Sequence, residues 1–157
     1  MNMPDSDMVQ TRSRLLTCRV AEQWLALPVQ QLSEVVTPQM KTVIPLAPDA
    51  VNGLINLRGR ILTELDLRKI LHIDIDAEQT NYRTIIIETD AVENFGLTVD
   101  AVGEVIEMDA GAFERTPESL EENWKCVCRG VLKEHKRILI LLDIKKVIDM
   151  SMPEQQN

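Results

Sequence analysis

The sequence predicts a mostly β protein built as two similar small barrels, and three observations carry that prediction. First, Gly53, Arg60, Ile61, Leu62, Leu65, Asp66 and Lys69 recur 77 positions later as Gly130, Arg137, Ile138, Leu139, Leu142, Asp143 and Lys146. Second, Leu27 to Val36 matches Leu97 to Ile106 at an offset of 70, with Glu34/Glu104 and Val35/Val105 in register. Two blocks in the same order, separated by a small insertion, indicate two copies of one unit. Third, the 157 residues are 45% hydrophobic yet hold only two Trp, one Tyr and two Phe. The core must therefore be aliphatic, which suits β-branched strands packed in small barrels.

The elements follow in order. Ser13 to Val20 alternates around Leu16, Cys18 and Val20, and Gln23 to Val29 follows it as the second arm of a hairpin turning at Ala21-Glu22. Val35-Val36 continues the sheet. Thr37 to Asp49 holds Pro38, Pro45 and Pro48, which fix φ and remove backbone donors, so a long irregular loop is expected there. Val51 to Leu57 and Arg60 to Leu65 flank Arg58-Gly59, a tight turn whose glycine takes positive φ without a Cβ penalty. Asp66 caps a short helix over Leu67 to Leu71, and the polar stretch Ile73 to Asn81 connects the copies.

The second copy opens with Tyr82 to Thr89, whose Ile85-Ile86-Ile87 marks a buried strand, paired with Phe95 to Val99 across Asp90 to Asn94. Val102 to Met108 is a further strand, and Asp109 to Lys125 reads as a loop or irregular helical turn. Cys126 to Leu132, Arg137 to Leu142 and a capped helix from Asp143 to Met150 complete it. The expected organisation is a tail over 1–12, a first barrel over 13–80, a second over 81–150, with some strand exchange between them, and a tail over 151–157.

Composition narrows the function classes. A net charge of −8 repels phosphate backbones over most of the surface, so nucleic acid is not expected as a partner, and a small-barrel enzyme or nucleic-acid-binding module stands only as the alternative from a different class. The longest clear apolar run, Ile138 to Leu142, falls far short of a membrane span, so no direct membrane insertion is expected. The first fourteen residues carry no apolar stretch of a secretory signal, and three cysteines, an odd number, fit a reducing compartment; the expected location is cytoplasmic. His72 and His135 are the only near-neutral acid/base groups and neither sits beside a nucleophile, and no glycine-rich phosphate cradle is present. Neither an enzyme nor a cofactor is expected. Cys126, Cys128 and His135 are zinc-ligand types, but two cysteines spaced by one residue read more simply as small apolar side chains facing a core, so no metal is expected.

Function is sought where the repeat fails. Between the matched glycine and arginine the first copy reads Asn56-Leu57-Arg58-Gly59 and the second Lys133-Glu134-His135-Lys136. One turn is specialised and the other reads as generic polar surface. Glu34, among Leu32, Val35 and Val36, is the natural partner of Arg58. Spacing leaves two readings open: an exposed ion pair of little consequence, or a partly shielded pair whose planar guanidinium shapes a recognition surface. Leu54, Ile55 and Leu57 are open in the same way, between core and interface.

At Gly53-Leu54-Ile55-Asn56-Leu57-Arg58-Gly59, followed by Arg60-Ile61-Leu62 and Leu65-Asp66-Leu67-Arg68, the chain resembles the CheW family of bacterial chemotaxis coupling proteins. The resemblance runs from Leu15 to Ile148, through Glu34-Val35-Val36 and Gly96 to Val102. It implies two SH3-like five-stranded β-barrel subdomains with short helices. It also implies a non-enzymatic adaptor that binds the CheW-like regulatory domain of a CheA-type histidine kinase through strand edges of the first barrel, and the cytoplasmic tip of a chemoreceptor in a groove between barrels. Carried over by position, Glu34, Gly53, Asn56, Leu57, Arg58 and Gly59 form the functional hairpin and its support, while Val99 and Val102 line the groove. The chain departs from the family at Thr63-Glu64, where Pro-Val is usual, placing a carboxylate where an apolar contact is expected; a chemosensory array with another output, such as pilus control, is the alternative setting.

Overall fold

A computed structural model describes residues 12–74, 81–90 and 92–151; the expected first tail up to residue 11, most of the connector at Ile73 to Asn81 and the residues after Ser151 lie outside them, while Arg12, placed in that tail, opens the first strand. The strands are β1 (Arg12–Val20), β2 (Gln23–Pro28), β3 (Leu32–Val36), β4 (Lys41–Thr42), β5 (Val51–Leu57), β6 (Arg60–Asp66), β7 (Arg83–Thr89), β8 (Val92–Val99), β9 (Ala101–Asp109), β10 (Phe113–Glu114), β11 (Cys128–Glu134) and β12 (Arg137–Leu142). The α-helices are α1 (Leu67–Ile70), α2 (Glu122–Lys125) and α3 (Ile144–Ser151). Asp66 caps α1 as the sequence predicts, accepting from the Arg68 and Lys69 amides. Ser151 closes α3 rather than opening a tail, and its hydroxyl donates to the Ile148 carbonyl at 2.8 Å.

The strands form two sheets with one plan. Their orders are β3-β7-β8-β6-β5-β4 and β10-β11-β12-β2-β1-β9, the same order once each strand is matched with its counterpart six places on. In each sheet one member, β4 or β10, is only two residues long, leaving the five longer strands of an SH3-like barrel. Sheet membership crosses the chain midpoint: the β1-β2 hairpin pairs with β9 and β12, and the β7-β8 hairpin with β3 and β6. Each half thus lends its opening hairpin to the other half's sheet, and each lent strand fills an edge that would otherwise expose unpaired backbone groups.

This exchange explains the continuous apolar runs. Ile85 and Ile87 face a large core shared with Leu16, Leu25, Leu27, Leu65 and Leu97, whereas Ile86, between them, faces the opposite way into a cluster with Ile55, Leu57 and Leu62. The second sheet repeats the arrangement, with Leu15, Ala26, Leu132 and Leu139 filling its own interior. Strands covered on both faces read as unbroken hydrophobic stretches.

Polar contacts lock the lent hairpin in place. Asp100, at the β8-β9 junction, accepts from the Ala21 amide at 2.6 Å, from Arg68 Nε at 2.9 Å and from Arg68 Nη2 at 2.5 Å. Burial alone would raise this carboxyl's pKa, but the Arg68 and Ala21 bonds outweigh it and hold it below the usual carboxylate range. Arg68 also donates to the Asp74 carbonyl.

The repeated glycines have a common reason. An added Cβ at Gly53 would lie 2.5 Å from the Thr42 carbonyl oxygen, and one at Gly130 would lie 2.7 Å from that of Glu114. Each glycine, sitting at a register shift, admits the backbone of the short neighbouring strand. The proline-rich stretch expected as an irregular loop therefore contains β4, paired Lys41 to Ile55 and Thr42 to Leu54.

Candidate functional site

The β5-β6 hairpin turns on two residues in the left-handed region, Arg58 at φ 52° and Gly59 at φ 86°. Positive φ at both central positions is the I′ geometry that matches the right-handed twist of a hairpin. The sequence pointed to the glycine alone; the arginine shares the conformation, as do Ala21 (φ 55°) and His135 (φ 53°) at the corresponding bends of other hairpins. Asn56 Oδ1 accepts from the Gly59 amide at 2.9 Å and closes the turn from beneath.

This geometry raises Arg58 over β3. Its Nη2 and Nη1 reach Glu34 Oε1 at 2.5 Å and Oε2 at 2.6 Å, a two-pronged pair. The side chains are 70% and 27% exposed respectively, so the carboxylate is partly sheltered while the guanidinium faces out. The hydrogen bond from Arg58 is the main reason the Glu34 carboxyl lies below the usual range. Both sequence readings are thus partly met: the pair is solvent-accessible, and it is also fixed in direction.

The other predicted site residues divide by burial. Asn56 and Gly59 are exposed beside Arg58. Leu57 packs into the barrel interior with Ile55, Leu62 and Ile86, and Val99 is 2% exposed in the shared core; these two side chains support the surface from within. Val102 is half-buried against that core. Gly53 acts through the backbone approach described above. An open cleft of about 570 Å³ lies between the β1-β2 turn and the α2 region, lined by Glu22, Gln23, Ile73, Leu120 and Trp124 among others; Val99 and Val102 are not among its lining residues.

Three features escaped the sequence. Val35 and Ile61 are 40% and 60% exposed, and their repeat counterparts Val105 and Ile138 are 45% and 50% exposed. Conserving position across the repeat, these aliphatics face solvent in both copies; the repeated spacing was the signal that could have found them. The turn of the second copy is not generic surface: Arg137 bonds Glu134 at 2.8 Å and Glu104 at 2.5 Å and lies 4.3 Å above the Trp24 ring. Glu34 and Glu104 thus each hold an arginine, supplied from different places, Arg58 in one copy and Arg137 in the other. Third, Glu64 is not a surface carboxylate at all but is fully buried.

The cysteines correct one expectation. Cys126 is exposed and continues the turn of α2 with helical backbone (φ −64°, ψ −22°), so it does not share a strand face with the buried Cys128. Burial pushes the third thiol, Cys18, up to about 12. Among the described residues no group of three or more His, Cys, Asp or Glu is placed to hold a metal ion, and no helix is long and apolar enough to cross a membrane.

Two interlocked small barrels presenting a rigid arginine-bearing turn and paired exposed aliphatics define a protein-docking module. The chain belongs to the CheW-like domain family, which matches residues 14–152. It is 33% identical over 135 residues to the chemotaxis protein CheW of Thermotoga maritima, covering 86% of this chain and 87% of that one. It is 27% identical over 141 residues to CheW of Bacillus subtilis, covering 90% of each. Among solved structures, the scaffolding protein CheW of Thermoanaerobacter tengcongensis superposes with a TM-score of 0.74 at 31% identity, over 83% of this chain and 88% of that chain.

Proposed function

We propose that this chain is a non-enzymatic cytoplasmic adaptor that couples chemoreceptors to a CheA-type histidine kinase in chemotaxis signalling. Its contribution is geometry: by binding two partners at once it converts their encounter into a local event at high effective concentration. The observation that carries this reading is the Arg58 turn, present in one copy of the repeat and absent from the other, with its guanidinium fixed by Glu34 and facing solvent. A fixed, planar, exposed donor suits recognition of a helical receptor tip's acceptor groups.

The kinase contact falls on the β4 end of the first sheet. There β4 is the terminal strand, and Met40, Val43 and Leu46 beside it are 95%, 74% and 104% exposed. An open edge flanked by apolar side chains suits another small β domain, here the CheW-like regulatory domain of the kinase. Calorimetric titration of the chain with that domain and, separately, with a receptor-tip fragment tests the assignment. Saturable binding of both supports it, and Arg58→Ala is expected to weaken the receptor arm selectively; absence of binding in both arms overturns it.

A further inference from the structure

Glu64, fully buried in β6, is left without a role by the adaptor reading. Its Oε1 accepts from Asn52 Nδ2 at 3.2 Å and lies 3.3 Å from Lys41 Nζ, while Oε2 has no partner among the described residues. Lys41 Nζ also meets the Tyr82 hydroxyl at 2.5 Å and lies 5.0 Å above the Tyr82 ring. A buried carboxylate with an unsatisfied oxygen costs stability relative to an apolar side chain of similar volume. Its effect is to be sought in what it holds.

What it holds is the edge strand, and the repeat shows how the other copy solves the same problem. Lys41 pairs with Ile55, and at the matching place Phe113 of β10 pairs with Leu132. The counterpart of Glu64 is Leu141. In the second sheet Phe113 and Leu141 both pack against the barrel's apolar cluster. In the first, an ammonium and a carboxylate replace that apolar anchor. The strand they hold is two residues long, joined to β5 at two positions, and bordered by the exposed Met40 and Val43, so beyond the Lys41–Tyr82 contact little else fixes it.

We propose that Lys41 and Glu64 form an electrostatic latch that positions the β4 edge, and with it Met40 and Val43, for the kinase domain. The positioning role in docking rests on the kinase-edge reading above; the latch itself is measurable in the free protein. Removing the carboxylate by Glu64→Leu takes away Lys41's counter-charge and leaves it the Tyr82 contact alone among those described above; its side chain, 23% exposed, can then turn to water. The double variant Lys41→Phe/Glu64→Leu rebuilds the second copy's anchor.

Hydrogen exchange read by mass spectrometry on peptides covering 39–44 and on β7-β8 tests the latch, alongside thermal melts. Glu64→Leu is expected to speed exchange at 39–44 by about tenfold without lowering the melting temperature or altering β7-β8, and the double variant is expected to restore slow exchange. Unchanged exchange at 39–44, or a rise spread equally over the sheet, overturns the proposal. Titration with the kinase domain separates the two readings. If exchange responds but the wild-type chain does not bind, the latch stands and the kinase edge fails; if the wild-type chain binds while exchange is unmoved, the latch fails.

Discussion

Asp100→Ala is the perturbation that most directly probes the interlocked halves. It removes the acceptor of three hydrogen bonds, from the Ala21 amide and from two guanidinium nitrogens of Arg68, and so unties the β1-β2 turn from α1. The Arg68 side chain, 17% exposed, loses its ion pair with Asp100. Removing one partner of a buried pair costs about 3–5 kcal/mol, and the residual exposure here places the expectation near 3 kcal/mol. For a chain of this size each kcal/mol shifts the melting temperature by about 2–4 °C, so a fall of roughly 6–12 °C is expected. The assay is a thermal melt of the wild type, Asp100→Ala, Arg68→Ala and the double variant at pH 7. The pair's energy should appear as non-additivity in the cycle. Because the folded carboxyl lies below its unfolded value, its stabilisation is fully present above the unfolded value, about 3.9, and fades as pH falls toward the folded one. The gap between wild type and Asp100→Ala should therefore be constant from pH 7 to about 5 and shrink in more acidic buffer. A fall below about 2 °C, or strict additivity, would mean that Asp100 and Arg68 do not tie the β1-β2 turn to α1.

Two further predictions concern the turn and its support. Arg58→Ala, with a side chain 70% exposed on a turn, is expected to leave the melting temperature within about 2 °C while weakening receptor-tip binding by about tenfold or more, read by calorimetry. Gly53→Ala places a Cβ 2.5 Å from the Thr42 carbonyl at φ +147°; a loss of about 2 kcal/mol or more in denaturant melts is expected, with faster exchange at Lys41 and Thr42.

The duplication, the hairpins β1-β2, β5-β6 and β7-β8 and the specialised turn were legible in the sequence, because repeat positions such as Gly53/Gly130 and Asp66/Asp143 serve the same local geometry twice; Val35-Val36, expected to continue the sheet of β1-β2, instead pairs with β7 in the other sheet. Some strand exchange between the halves was expected as well, but not which strands would cross. Periodicity reports which faces of β1 and β7 are covered but not which strand lies alongside, and the doubly buried Ile85 to Ile87 would read the same in either sheet. The inward direction of Glu64 was hidden for a different reason: a carboxylate is ordinarily solvated, and its partner Lys41 comes from a segment whose prolines masked a two-residue strand. At the site, Arg58 and Glu34 were legible as a pair; Leu57 is buried in alternation with Gly53 and Ile55 along β5, and Val99 ends a continuous buried run in β8.

The most direct test of the adaptor account is a three-component experiment in solution: this chain, a kinase regulatory domain and a receptor-tip fragment, followed by sedimentation velocity. The account predicts that this chain associates with each of the two partners with a Kd of about 1–10 µM, roughly −7 to −8 kcal/mol, and that a ternary species forms with one copy of each component. Mutual displacement of the two partners would contradict it.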